Sequence, residues 1–229
     1  MTPLPPVLLA HGFASSFEYN WRLPGFADLL EDAGRTVIPF DFPGHGNAPK
    51  PHDPDAYDDL AGALGEALPA EGQVDAVGFS LGATSLLRLA SRLPDRFRKI
   101  VVAGVGENVF RDQDTEPVAA AIESGAAPDG EVLSQLFVHF SEVPGNDPKA
   151  LAACMRREEH PITDAQLARI TAPTLVIIGD KDFAGPADGL VDKLPNAQLK
   201  VLRNVEHFAT PKDYGFIDGC LGFLDAVPA

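Results

Sequence analysis

Apolar residues along this chain follow two rhythms. Short runs rich in Val, Ile and Leu at residues 7–10, 36–40, 74–77, 99–104, 174–178 and 198–202 have the length and composition of strands, and the first is apolar throughout. Between them, apolar positions three and four apart mark helices at 21–33, 55–68, 83–93 and 214–227. In the first of these, Leu23, Phe26, Ala27, Leu29, Leu30 and Ala33 form one face, stopped by Gly34. Strand and helix alternate, so the expected fold is α/β, a parallel sheet of six strands with helices on both faces. Right-handed crossovers then place the 7–10 strand between the 36–40 and 74–77 strands. The alternation pauses over 107–170, where helical patterns at 116–124, 131–140 and 148–157 occur without a convincing strand. The expected organisation is one domain over 1–229, with a core of 1–106 and 171–229 and a helical cap inserted after the fourth strand.

Composition narrows the partners. At 229 residues, 45% hydrophobic and 22% charged, the chain reads as an ordinary globular domain. A net charge of −15 argues against nucleic acid and anionic membranes as partners. The six histidines are scattered and no Cys-x-x-Cys occurs, so neither a metal nor another cofactor is expected. Cys154 and Cys220 each sit in an apolar helical context and read as buried free thiols. The N-terminal stretch lacks a basic region, and residues 7–10 are too short for a signal core or a membrane span, so a cytoplasmic protein is expected.

The candidate chemistry centres on Gly78-Phe79-Ser80-Leu81-Gly82, between the third predicted strand and a predicted helix. In that setting Gly-x-Ser-x-Gly is a sharp turn that holds the serine in strained dihedrals at a helix N-terminus. A serine so placed is a nucleophile once a base takes its proton. Functional loops of a parallel sheet lie beyond the carboxyl ends of its strands. Along that edge the chain offers His11-Gly12-Phe13, the turn Asp41 to Gly46, Ser80, Asp182 and His207. Imidazole titrates near neutrality, which suits His207 to the role of base. His11 falls in a small-residue loop, His45 in a turn, and His139 and His160 in the cap.

Taken in order, His11-Gly12-Phe13, Asp41-x-x-Gly44-x-Gly46, Gly78-x-Ser80-x-Gly82, Gly179-x-x-Asp182 and His207-Phe208 resemble the α/β-hydrolase family, in its small, lidded serine-esterase form. The resemblance covers essentially the whole chain. It departs in lacking the strands that usually precede the His-Gly loop, and in reading Asn204-Val205-Glu206-His207 where the family has Gly-x-Gly-His. It implies Ser80 as nucleophile, His207 as base and Asp182 as the acid that orients it, with Asp180 and Glu107 as weaker candidates for the acid. It also implies an oxyanion hole made by the backbone N–H groups of Phe13 and Leu81, with His11 ordering the loop. Phe137, Phe140, Met155 and Phe183 are expected to line a pocket for a small or medium ester-like molecule. Carboxylic ester hydrolysis through an acyl-enzyme is the expected reaction. Thioester, lactone or carbon–carbon hydrolysis, or slow ligand binding on the same scaffold, are its alternatives.

Overall fold

The structure, a computed structural model, describes residues 4–143 and 145–227. Its strands are β1 (Val7–Ala10), β2 (Val37–Pro39), β3 (Val74–Phe79), β4 (Phe97–Ala103), β5 (Thr174–Gly179) and β6 (Ala197–Leu202). They form one sheet in the order β2-β1-β3-β4-β5-β6, and every pairing is parallel. The helices are α1 (Phe26–Asp32), α2 (Leu60–Glu66), α3 (Leu81–Arg92), α4 (Glu116–Ser124), α5 (Val132–Ser141), α6 (Pro148–Met155), α7 (Asp164–Leu167), α8 (Asp188–Lys193) and α9 (Tyr214–Phe223).

Side-chain alternation divides the core in two. Leu8, Ala76, Ile100, Val102 and Val176 pack with Leu64 of α2 and Leu86 of α3. Val7, Leu9, Val77, Val101 and Ile177 pack on the other face with Phe26 of α1 and Phe216 of α9. Each fully buried Val, Leu or Ile contributes about 1.5–3 kcal/mol. A one-residue slip of a strand would exchange its two faces, so the register is strongly specified. The shared strand direction gathers the loops after Ala10, Phe79, Gly179 and Leu202 along one edge.

The helix expected over 21–33 is broken. Glu18–Arg22 forms a single π-helical turn, and α1 begins at Phe26 after Gly25, whose φ is +84°. Pro24 removes a backbone donor and Gly25 takes the left-handed conformation, so the apolar periodicity spans two separate pieces. The stretch expected as one helix over 55–68 is likewise a 3-10 turn, Pro54–Tyr57, followed by α2, which Asp59 caps.

Among the described residues no strand falls between β4 and β5; that segment holds a 3-10 turn, Glu107–Phe110, and α4 to α7. It has a small core of its own, in which Ala119, Ile122, Phe137, Leu151 and Ala152 meet Ala14 from the loop after β1. At the opposite end of the sheet, Asp75 of β3 is fully buried and accepts hydrogen bonds from Arg35 and from Arg98, the latter at 2.8 Å from Nε to Oδ1. Both guanidiniums also bond the Leu224 carbonyl, tying the end of α9 to the sheet. Among the described residues no helix is long and apolar enough to cross a membrane.

Candidate active site

Ser80 stands between β3 and α3 at φ +52° and ψ −113°, a positive-φ conformation that an L residue keeps only when its surroundings enforce it. The two glycines show how. A Cβ at Gly78 would lie 2.7 Å from the Gly82 carbonyl oxygen, and one at Gly82 would lie 2.1 Å from that of Ala10. No side chain fits at either place, and their absence lets the turn fold tightly against β1.

The loops after β5 and β6 bring the partners. A Cβ at Gly179 would fall 2.0 Å from the Val205 carbonyl oxygen, so this glycine allows the two loops to touch. His207 Nδ1 donates to the Asp182 carboxylate at 2.9 and 3.0 Å, and the Ser80 hydroxyl donates to His207 Nε2 at 3.0 Å. Asp182 and His207 are buried. Asp182 Oδ1 is further fixed by the Ala184 N–H at 2.9 Å. The rings of Phe79, Phe183 and Phe208 surround the imidazole, with centroids 5.0, 4.3 and 5.0 Å away. Of the weaker candidates for the acid, Asp180 is exposed and Glu107 pairs with Arg111.

The loop after β1 packs against the serine. A Cβ at Gly12 would be 2.8 Å from the Phe79 ring and 3.6 Å from Ser80 Cβ. His11 Nδ1 donates to the Gly12 carbonyl at 2.8 Å, while the Phe42 N–H donates to His11 Nε2 at 3.1 Å, which fixes the neutral tautomer. In a trans peptide C=O and N–H point oppositely, so pinning the Gly12 carbonyl also aims the Phe13 N–H. Asn20 Oδ1 accepts the Gly12 N–H at 3.1 Å. Asn146 Nδ2 donates to the carbonyls of Ala14 at 3.0 Å and Phe140 at 2.9 Å, linking this loop to the end of α5. Among the described residues the Phe13 and Leu81 N–H groups have no acceptor.

Two cavities meet at Ser80, one of about 220 Å³ and one of about 240 Å³. Phe13, Phe137 and His207 border both, and the Phe13 and Phe137 rings meet edge to face at 5.4 Å between them. Met155 and Phe183 line the first, and Phe140 lines the second with Val143 and Phe208. All four expected pocket residues therefore border the serine's surroundings. Pattern reading missed Asn146 and Arg88, whose partners Ala14 and Glu159 lie 132 and 71 positions away, and Asn20, whose partner Gly12 lies eight positions away. Cys154 and Cys220 are buried free thiols, and the described residues hold no cluster that could bind a metal.

Burial pushes the His11 pKa down to about 4, against the raising effects of the Gly12 carbonyl and Asp41. Burial, with the positive field of His11, Arg157 and Lys50, pushes His45 down to about 3. An unfolded histidine binds its proton near pH 6.5. Below about pH 6.5 the unfolded chain therefore holds more protons than the folded one, so stability is full above that value and falls as the pH drops toward 4 and then 3. The expected loss between about pH 7.5 and 5 is about 3–4 kcal/mol, before most carboxylates titrate. Urea unfolding at several pH values checks this, and a flat profile above pH 5 would contradict the buried neutral state of both rings.

Matched over residues 7–214, the chain belongs to the alpha/beta hydrolase family. It is accordingly a hydrolase. A curated relative, the pimeloyl-(acyl-carrier protein) methyl ester esterase of Neisseria meningitidis serogroup B, is 27% identical, with 88% of this chain and 85% of that protein covered. Among solved structures, a bromoperoxidase from Bacillus anthracis superposes with a TM-score of 0.73 at 25% identity, covering 97% of this chain and 92% of the other. A thermophilic esterase from Thermogutta terrifontis gives 0.72 at 20% identity, covering 98% and 91%. The last is a likeness of fold.

Proposed function

We propose that this chain hydrolyses a carboxylic ester through an acyl-enzyme on Ser80, and the observation that carries this reading is the hydrogen-bonded chain from Ser80 through His207 to Asp182. His207 Nε2 takes the hydroxyl proton as Oγ attacks the ester carbonyl, and the carbonyl electrons move onto oxygen. The N–H groups of Phe13 and Leu81 receive that oxyanion, the second aided by the N-terminal dipole of α3. Collapse expels the alcohol, which leaves with the proton from His207. Water then attacks the acyl-serine by the same route and releases the acid. Asp182 keeps Nδ1 protonated, so that Nε2 is the basic nitrogen, and stabilises the imidazolium as it forms.

The segment 107–170 acts as a cap that shapes the substrate space, and two small cavities suit acyl and alcohol portions of small or medium size. A methyl ester, the bond class named for the meningococcal relative, is the first substrate to test. A cytoplasmic setting belongs to the same reading and rests on the two buried free thiols. A fluorophosphonate probe and a panel of chromogenic esters with rising acyl length, thioesters alongside, test the proposal. Rapid labelling of Ser80 with ester turnover is expected; an inert serine with measurable ligand binding would replace the enzyme by a binding protein.

The aromatic residues of the cap are expected to set chain-length preference. Phe137→Ala or Phe140→Ala should move the preferred acyl length by about two carbons and change acetate turnover by less than about threefold. Collapse of acetate turnover with an unmoved preference would place a catalytic group in the cap.

A further inference from the structure

Ser80, Thr84 and Arg88 are spaced four residues apart, lie along one face of α3, and all line the 220 Å³ cavity. On the ester-hydrolase reading above, we propose that this cavity is an anion subsite, in which the guanidinium of Arg88 binds a carboxylate carried by the substrate on the order of 10 Å from the scissile bond.

The charges around Arg88 are unevenly matched. Its side chain is 18% exposed and meets Glu159 at 3.4 Å, but Arg157 pairs with the same carboxylate. Arg156, by contrast, has both Glu116 and Glu123, and Arg22 has both Asp28 and Glu31. Arg88 Nη2 also donates to the His160 carbonyl, while its Nε and Nη1 find no acceptor among the described residues. Of the three arginines that line the cavity, Arg111 has Glu107 to itself, whereas Arg88 and Arg157 share Glu159. One carboxylate thus serves two guanidiniums at this wall, in a chain of net charge −15. Burial lowers the Arg88 pKa, only partly offset by Glu159 and reinforced by Arg157 and Arg92, as expected for a cation short of counter-charge. An incoming carboxylate would supply the missing charge and accept charge-assisted hydrogen bonds from the open N–H groups. The second cavity is different: its walls are mainly aromatic and aliphatic, and Lys212 is its one charged lining residue among those described. A substrate with one apolar arm and one anionic arm matches the pair.

The test uses the intact wild-type protein at about 0.15 M salt, where long-range repulsion from its net charge is largely screened. One series compares monomethyl esters of dicarboxylic acids of about six to eight carbons with methyl alkanoates of equal length. The other compares acetylated ω-hydroxy acids with acetylated alkanols. The expected result is a kcat/KM at least about tenfold higher for the charged ester in one series, falling to about twofold or less in Arg88→Met and recovering in part in Arg88→Lys. Should Arg88→Met fail to fold, having lost its bond to the His160 carbonyl, the wild-type ratio decides alone. A ratio near or below one in both series, with neutral esters turned over, overturns the subsite and leaves the hydrolase reading standing. No turnover of any ester by a protein whose Ser80 reacts with a fluorophosphonate also overturns the subsite. No turnover with an unreactive Ser80 removes the hydrolase reading, and the subsite with it.

Discussion

Ser80→Ala is expected to lower kcat/KM for ester hydrolysis by at least about 10⁴-fold, with the folded structure retained. The hydroxyl is the group positioned to form the acyl-enzyme, 3.0 Å from the imidazole nitrogen that would take its proton. The backbone bonds that shape the turn, Ser80 N–H to the Ala103 carbonyl and Thr84 N–H to the Ser80 carbonyl, do not involve the side chain. A residual rate above that of water remains permissible, since oxyanion stabilisation and substrate binding do not depend on Oγ. Steady-state kinetics on purified variant, with its circular dichroism spectrum beside that of the wild type, are the check. Near-wild-type turnover would end the assignment of Ser80.

Asp182→Asn should reduce the rate by about 10³–10⁴-fold, whereas Asp180→Asn should cost about tenfold or less. The reason is the tautomer. A carboxylate at 182 accepts the Nδ1 proton at 2.9 Å and leaves Nε2 free to act as a base. An amide there can offer its own N–H to Nδ1, which moves the ring proton to Nε2 and removes the acceptor that the serine needs. Asp180 lies on the surface and Glu107 is engaged with Arg111, so neither is placed to substitute. Kinetics of both variants under one set of conditions decide the matter: a reversed ranking would move the acid to Asp180, and two mild effects would move it to Glu107.

Much of this was legible in the sequence because burial on both faces leaves its mark in runs such as Val7 to Ala10, and all six strands lie where those runs predicted them. The meeting of Ser80, Asp182 and His207 was legible for a related reason: chain order, with parallel strands, delivers them to one edge. Periodicity failed where a backbone event interrupts an apolar pattern, as at Pro24 and Gly25, since apolar spacing carries no record of a break. It also failed for polar pairs distant in sequence. Asp75 reads as an oddity inside a strand until Arg35 and Arg98 are seen to surround it. Asn146 looks like a loop residue, yet it bonds Ala14, 132 positions earlier.

The positive-φ turn at Ser80 sets the interests of the fold against those of the reaction. Of two inactive variants at this position, Ser80→Ala keeps a side chain in a sparsely populated conformation that costs an L residue on the order of 1 kcal/mol, and Ser80→Gly relieves it. After allowance for the looser unfolded chain of a glycine variant, Ser80→Gly should be the more stable by about 1 kcal/mol or less, read as a higher urea midpoint. Selection for stability alone would therefore favour loss of the serine. Its presence in so unfavourable a turn is the trace of selection for something other than folding.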